Sequence, residues 1–299
     1  MASSRKGPKT LAICNMKGGV GKTATAVNIA GAMAKAGKKI LLVDCDFQGN
    51  ASDYLRLKIP AIINKITMFD GIRLDKPAED CILPTNFKNL DMVASGPSLS
   101  NFNKEGYKVH KVKSWLSSKF VQQKYDYLIF DTRPELGSLF DNVMSYVDWY
   151  LVPVFAEADA VGGLQIVFRE LREIQEAYNN ELKSAGLLIS RFSKKNSTHK
   201  EFEGVIGNLC TKHDLYLLGK IPMSDALSSS VNKCTPLSFY MENRQSLPIR
   251  ENFEEVADHL IKNTLVYRKG RVPQVPIISD EEVTETMIVL SESEEMLYE

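Results

Sequence analysis

A glycine-rich loop between an apolar strand pattern and an alanine-rich helix pattern most constrains the fold of this chain. The loop, residues 17–23, reads KGGVGKT. Glycines at such a turn let backbone N–H groups approach a phosphate, and the helix N-terminus attracts the same negative charge. The strict G-x-x-x-x-G-K-[ST] pattern fails at one position, because Met16 stands where its first glycine would be. The segment therefore predicts a nucleotide-binding strand–loop–helix unit whose first half is altered.

The loop carries two lysines five positions apart, and these are expected to act differently. Lys22 should contact the β- and γ-phosphates, and Thr23 should ligate Mg²⁺. Lys17 lies at the leading edge of the loop, where its side chain need not fold onto its own nucleotide. A second cation this close to Lys22 is repelled unless negative charge lies between the two. A nucleotide contacted from the opposite subunit would provide that charge.

Apolar runs alternate with helical patterns along most of the chain. Strands are predicted over residues 10–15, 39–44, 90–94, 125–131, 149–154, 185–190 and 217–221, and helices over 21–36, 109–122, 163–178, 202–213 and 252–267. Near-continuous apolar strands separated by helices indicate an α/β fold with a doubly wound, mostly parallel twisted sheet and helices on both faces. We expect one domain over residues 9–268, a short N-terminal extension over 1–8 and a flexible tail over 269–299, within which the apolar segment 287–290 is a potential docking site.

Charge is distributed unevenly along the chain. The net charge is zero, yet residues 280–299 contain eight acidic residues and no Lys or Arg, which leaves a charge of +8 on residues 1–279. A basic body of this kind is compatible with polyanion binding. The five cysteines are scattered without a C-x-x-C pair, which argues against a disulfide framework or a zinc or iron–sulfur site. With no apolar run long enough for a membrane span and no secretory pattern, a cytoplasmic protein is expected.

Three segments resemble the deviant Walker A ATPases of the ParA/MinD superfamily. They are residues 15–23 (NMKGGVGKT), 41–52 (LLVDCDFQGNAS) and 125–132 (YDYLIFDT), and they occur in the family's order and spacing. Segments 152–154 (VPV) and 219–222 (GKIP) fit more loosely, so the resemblance covers about residues 9–266. It implies a P-loop NTPase fold, ATP and Mg²⁺ as cofactors, and weak ATP hydrolysis that a partner protein stimulates.

The resemblance also implies roles for individual residues. Lys17 matches the signature lysine that reaches across an ATP-sandwich homodimer, and with Asp46 it forms the expected catalytic pair. Asp46 would orient the attacking water, while Asp131 would hold Mg²⁺ through its water shell and Thr23 would ligate the ion. The expected nucleotide contacts are Lys17, Gly18, Gly19, Val20, Gly21, Lys22, Thr23, Ala24 and Pro222.

Some positions depart from the family pattern. Phe47 replaces the usual proline after Asp46, Ala24 stands where a second hydroxyl residue is common, and Arg133 stands where ParA proteins usually have proline. We expect Arg133 to pair with Glu135, with an extra phosphate contact as the alternative. None of these changes removes a group that nucleotide binding needs.

The ParA branch is favoured over the MinD branch. Met16 occupies a glycine position of MinD-like loops, the segment 48–50 (QGN) has the ParA form, and an acidic C-terminus repels anionic lipid. The resemblance then implies an ATP-bound dimer that binds nonspecific DNA on the bacterial or archaeal nucleoid and positions a plasmid, a chromosome locus or a protein cargo. A ParB-like or other activating partner would trigger release.

Contacts with DNA are expected at Lys233, Arg244 and Arg250. Met223 stands where ParA relatives often have an arginine, which weakens this part of the resemblance. No membrane partner is expected. A MinD-like membrane-associated positioning ATPase and a metabolic ligase of the same superfamily remain the alternatives.

Overall fold

A computed structural model describes residues 7–157, 159–240, 247–266 and 272–295. Within these residues one eight-stranded sheet has the order β3-β4-β2-β5-β1-β6-β7-β8. Its strands are β1 (Lys9–Ile13), β2 (Ile40–Cys45), β3 (Ile82–Pro84), β4 (Leu90–Val93), β5 (Tyr127–Thr132), β6 (Trp149–Phe155), β7 (Lys183–Phe192) and β8 (Leu217–Pro222). All neighbouring strands are parallel except β3, which runs antiparallel to β4 at one edge.

Helices follow most strands and return the chain to the other end of the sheet. They are α1 (Lys22–Lys35), α2 (Asn50–Tyr54), α3 (Lys58–Ile63), α4 (Met68–Arg73), α5 (Lys111–Leu116), α6 (Lys119–Lys124), α7 (Ser138–Met144), α8 (Ala160–Ala177), α9 (Ser197–Lys212), α10 (Asp225–Asn232), α11 (Leu247–His259) and α12 (Asp280–Glu295). A π turn over Leu260–Thr264 extends α11. In the described residues, no helix combines the length and apolar character that a membrane crossing requires.

The sheet is buried on both faces, as its uninterrupted apolar strands require. Every residue of β2 and β5 is buried. One face packs against α1 and α11 in a cluster that includes Ile29 and Phe253. The other face packs against α4, α5, α7, α8 and α9 in a larger cluster that includes Phe130 and Phe168. The predicted doubly wound, mostly parallel α/β sheet is thus confirmed.

The structure differs locally from the sequence prediction. The helices α2, α3, α4, α7 and α10 were not predicted. The helix predicted over residues 109–122 is two short helices, because the Ser118 hydroxyl accepts a hydrogen bond from Val121 N and starts a new helix there. The antiparallel strand β3 was not predicted, since three residues ending in a proline show no recognisable alternation.

The expectation of a flexible tail does not hold for residues 272–289. Val275 and Ile278 are buried, at 2% and 3% exposure, against the cluster that contains α8. The Gln175 side chain accepts a hydrogen bond from Val275 N and donates one to Pro273 O. On α12, Glu282 forms an ion pair with Lys212. The predicted boundary at residue 268 lies outside the described residues.

The apolar segment proposed as a docking site is part of α12. Met287, Ile288 and Val289 are 45–50% exposed there. The described part of this segment is therefore half exposed, and Val289 also lines a cavity with Val205 and Leu209 of α9.

Candidate nucleotide-binding site

The glycine-rich loop connects β1 to α1 at the carboxyl edge of the sheet. Gly19 and Gly21 have φ angles of 75° and 87°, in the left-handed region that favours glycine. The Asn15 side chain donates a hydrogen bond to Pro153 O on β6 and accepts one from Lys17 N. The Ser190 hydroxyl donates to Val20 O from β7. Two neighbouring strands thus hold the loop in place before any nucleotide binds.

Lys22 begins α1 and lies inside the loop. Its side chain is 7% exposed, and its Nζ donates a hydrogen bond to the backbone oxygen of Lys17 at 2.8 Å. Burial lowers the pKa of Lys22, and the Asp131 carboxylate is the strongest opposing influence. The ammonium group is therefore largely dehydrated, which strengthens its attraction for a phosphate.

Two buried carboxylates stand side by side at the ends of β2 and β5. Asp44 and Asp131 are partners in the parallel register, and both are 0% exposed. Asp44 accepts hydrogen bonds from Ser52 Oγ at 2.6 Å, from Ser52 N at 2.9 Å and from Asp46 N at 3.0 Å. Burial raises the pKa of Asp44 to about 6 despite these bonds.

Asp131 lacks comparable partners. Neither of its carboxylate oxygens has a hydrogen-bond partner of normal geometry among the described residues, although the Thr23 hydroxyl lies close enough to interact. Burial raises the pKa of Asp131 well above its ordinary range, and the Asp44 carboxylate raises it further. A dehydrated, unpartnered carboxylate beside a threonine hydroxyl fits a hard divalent cation such as Mg²⁺. The described residues hold no group of three or more His, Cys, Asp or Glu side chains that could bind a metal ion.

A cavity of about 620 Å³ opens above the loop. It brings together Gly18, Gly19, Gly21, Lys22, Thr23, Ala24 and Asp46 from the predicted set. Four of the predicted residues are not among those described as lining the cavity: Lys17, Val20, Asp131 and Pro222. The side chain of Val20 is buried. Pro222 is the half-buried last residue of β8.

Other residues of the cavity had not been predicted from the sequence. They are Asn50, Asp53, Tyr54, Thr132, Pro134, Val231 and Cys234. Tyr54 lies two residues after segment 41–52, which carries part of the resemblance. This proximity was the only feature of the sequence that could have indicated that Tyr54 belongs to the site. Asp44, which precedes Asp46 in the same segment, was likewise not assigned a role.

Asp46 starts a tight turn at the mouth of this cavity. Its Oδ1 accepts a hydrogen bond from Gln48 N at 3.0 Å, and its backbone oxygen accepts one from Gly49 N at 2.8 Å. The carboxylate lines the cavity together with Lys22 and Thr23. This arrangement places an ionisable oxygen in the same cavity as the two polar residues that begin α1.

Lys17 points away from the cavity within the single chain. Its Nζ forms ion pairs with Glu157 and Asp159, which follow β6. Burial lowers the pKa of Lys17, but its hydrogen bonds to the two carboxylates raise it, and the raising influences prevail. The two acidic side chains are 44% and 66% exposed, so water weakens these ion pairs.

The residues predicted to contact DNA are only partly described. Arg244 lies in 241–246, outside the described residues. The ammonium of Lys233 is 5.3 Å from the centroid of the Tyr240 ring. Tyr240 and Arg250 line a groove of about 480 Å³ together with Lys35, which the sequence analysis had not considered. Glu254 and Asp258 line the same groove, and Arg250 pairs with Glu254 at 3.7 Å, so Lys35 and Arg250 stand among acidic side chains there.

Comparisons with known proteins place this geometry in a family context. A family model described as AAA domain matches residues 8–184. The chain is 33% identical over 202 residues to the chromosome partitioning protein ParA of Myxococcus xanthus, covering 67% of this chain and 71% of that protein. It is 34% identical over 184 residues to the sporulation initiation inhibitor protein Soj of Bacillus subtilis, covering 61% and 72%. Among solved structures, a Borrelia burgdorferi protein assigned to plasmid partition and bound to AMPPNP matches with a TM-score of 0.66 and 28% identity, over 84% of this chain and 98% of that one.

Proposed function

Because the chain belongs to the ParA/MinD superfamily of P-loop ATPases, we propose that it is an ATP-dependent dimerising switch that partitions or positions DNA or a cellular cargo. One observation carries the proposal. A prearranged phosphate loop, with the dehydrated Lys22 ammonium inside it, lies beside the unpartnered Asp131 carboxylate and the Thr23 hydroxyl. Such a set suits a nucleoside triphosphate with Mg²⁺.

The proposed chemistry uses the chain's own groups in order. Lys22 would exchange its bond to the Lys17 backbone oxygen for the phosphates. Thr23 would ligate Mg²⁺ and Asp131 would hold it through water, and the ion would supply charge neutralisation at the phosphates. Asp46 at the mouth of the cavity orients a water molecule for attack on the terminal phosphate, which yields ADP and phosphate.

Dimerisation in this proposal depends on Lys17. In the single chain its charge is neutralised by Glu157 and Asp159 of the same subunit. An ATP molecule in an opposing subunit offers several negative charges in place of two exposed carboxylates, so bound ATP would favour transfer of Lys17 across the interface. After hydrolysis and loss of phosphate, the nucleotide carries fewer negative charges and attracts Lys17 of the opposing subunit less strongly. The dimer then separates.

Binding of nonspecific DNA is the proposed output. Lys35 and Arg250 line one groove with Tyr240, Glu254 and Asp258, and Lys233 lies over the Tyr240 ring. A dimer would present this surface twice. The relatives named ParA support DNA or cargo partition, and release would follow hydrolysis stimulated by a ParB-like or other activating partner. The acidic face of α12, with Asp280, Glu281 and Glu285, argues against anionic membranes as the target.

The test compares DNA and membrane binding directly. Purified protein with Mg²⁺ and ATP, with ADP, or without nucleotide is incubated with random-sequence duplex DNA at low and moderate salt. Parallel samples are sedimented with anionic liposomes. We expect an ATP-dependent shift of DNA that weakens steeply with salt, since each neutralised phosphate releases counterions. ATP-dependent liposome binding without a DNA shift would instead establish the MinD-like alternative.

A further inference from the structure

Two residues that depart from the ParA pattern lie against each other beside the cavity. The guanidinium carbon of Arg133 is 4.5 Å from the centroid of the Phe47 ring. The same guanidinium forms an ion pair with Glu135, whose side chain is 52% exposed, whereas the Arg133 side chain is only 15% exposed. A guanidinium stacked on an aromatic face is held more strongly as water is excluded. Arg133 is therefore fixed on one side by the ring and on the other by the carboxylate.

The stacked ring belongs to the turn that orients Asp46. Phe47 is the second residue of that turn, which is closed by hydrogen bonds from Gln48 N to Asp46 Oδ1 and from Gly49 N to Asp46 O. A proline at position 47 would fix φ through its ring, but phenylalanine does not. The Phe47 side chain packs against the core cluster that contains Phe130 and lies under Arg133, so side-chain contacts hold this turn where a proline would act through the backbone.

Arg133 is close enough to Asp46 to feel its charge. Burial lowers the pKa of Arg133, and the Asp46 carboxylate opposes that shift. The residues on either side of Arg133, Thr132 and Pro134, line the cavity, while Arg133 itself lies outside its described lining. This placement favours an effect on the Asp46 turn over direct contact with a nucleotide.

We propose that Arg133 is a positioning residue for Asp46, acting through its stack on Phe47. The side-chain contact holds the turn in the conformation that a proline would impose through the backbone. The inference rests on the proposed function, in which Asp46 orients the attacking water. It also gives the Arg133–Glu135 ion pair a role, because Glu135 keeps the guanidinium over the ring.

The test measures single-turnover ATP hydrolysis and ATP affinity separately. Arg133→Ala should lower the rate about 10-fold, the effect of losing a stack of this kind, while the ATP dissociation constant stays within about twofold. Phe47→Leu should cause a similar loss, and the double variant should be no slower than either single one. Phe47→Pro in the Arg133→Ala background should restore the rate, because Phe47 N donates no hydrogen bond among the described residues.

Lys124→Ala is the matched control. Lys124 also combines a ring contact, 5.1 Å from the Phe120 centroid, with an ion pair, to Asp91 at 2.7 Å, but it precedes β5 at the opposite end from Arg133. Its removal should leave hydrolysis unchanged. If Arg133→Ala does not fold, Arg133→Lys serves instead, because it keeps the charge but loses the planar stack. It should lower the rate less than Arg133→Ala does, again without changing ATP affinity.

Three results would overturn the inference while leaving the proposed function intact, provided that wild type hydrolyses ATP and Asp46→Ala does not. One is a rate for Arg133→Ala within twofold of wild type. The second is additive losses in the double variant with Phe47→Leu. The third is a tenfold loss of ATP affinity in Arg133→Ala, which would mean direct phosphate contact. Absence of hydrolysis by wild type would instead overturn the proposed function, and the inference with it.

Discussion

Replacing Asp131 by asparagine should stabilise the nucleotide-free protein and weaken its response to ATP. The carboxylate is 0% exposed, both oxygens lack partners of normal geometry, and Asp44 lies beside it in the sheet register. A buried polar group left unpaired costs about 1–3 kcal/mol, and charge increases that cost. Asp131→Asn removes the repulsion from Asp44 at nearly constant volume, but it leaves an amide unpaired and removes the attraction to the Lys22 ammonium. We therefore expect a net gain of at most ~1 kcal/mol in the free energy of unfolding without ligand.

The gain should reverse when ATP and Mg²⁺ are present. Wild type at 100 times its dissociation constant gains about 2.7 kcal/mol from ligand binding. The Asp131→Asn variant should gain much less, because an amide is a poorer ligand for Mg²⁺ or its water shell than a carboxylate. For a chain of this size each kcal/mol shifts the melting temperature by roughly 2 °C, so the nucleotide-free variant should melt above wild type by no more than about 2 °C.

Asp44→Asn is the matched control, since Asp44 is equally buried but hydrogen-bonded. An asparagine there keeps one acceptor oxygen and turns an NH₂ group toward donors such as Ser52 N. We expect it to lose about 1–3 kcal/mol both with and without nucleotide. Differential scanning calorimetry with and without ATP and Mg²⁺ measures all three proteins. A lower melting temperature for nucleotide-free Asp131→Asn, or an unchanged response to ATP, would refute the reasoning.

The same pair makes stability depend on pH. Burial raises the pKa of Asp44 to about 6 and that of Asp131 above its ordinary range, so the folded state binds more protons than the unfolded state above about pH 4. The contribution of these groups to stability therefore falls as pH rises through 6. In Asp131→Asn the decline of melting temperature between pH 5 and 8 should be shallower than in wild type.

Three further predictions concern the switch. Lys17→Ala should bind ATP as wild type does but fail to dimerise, whereas Lys22→Ala should lose affinity for ATP. A titration with a fluorescent nucleotide measures both affinities. Equal losses of affinity in the two variants would contradict separate roles for the two lysines. Asp46→Ala should bind ATP and remain dimeric for longer, as followed by size-exclusion chromatography over time, and loss of ATP binding would show a structural role instead. Exchanging Lys233 and Arg250 together for glutamate should weaken binding to every duplex sequence alike and make that binding less dependent on salt. ATP hydrolysis in the absence of DNA should not change. A loss of binding that differs between sequences would contradict nonspecific binding.

The sequence predicted those parts of the protein that depend on short-range patterns. The loop from Lys17 to Thr23, the buried strands and the Asp131 strand end were predictable, because glycine spacing and apolar runs act within one strand–helix unit. The observed pairing of Arg133 with Glu135, two residues apart, was expected for the same reason.

Features that join distant segments were not predicted. The contacts of Lys17 with Glu157 and of Phe47 with Arg133 link positions far apart in the chain, and only the sheet order brings them together. The packing of the tail was missed because Pro273 and Pro276 interrupt the apolar residues of 272–278, which therefore show neither a helix nor a strand period. Such residues become part of a core only when another element leaves a place for them.

The most direct test of the central claim is the mass of the protein in solution as a function of bound nucleotide. Sedimentation velocity would compare samples with Mg²⁺ and a slowly hydrolysed ATP analogue, with ADP, and without nucleotide. The ATP-analogue sample should sediment at about twice the 33.5 kDa of one chain, and the other two as single chains. Lys17→Ala should remain a single chain in all three. A wild-type protein that stays monomeric with the ATP analogue, or dimerises equally without nucleotide, would contradict the account.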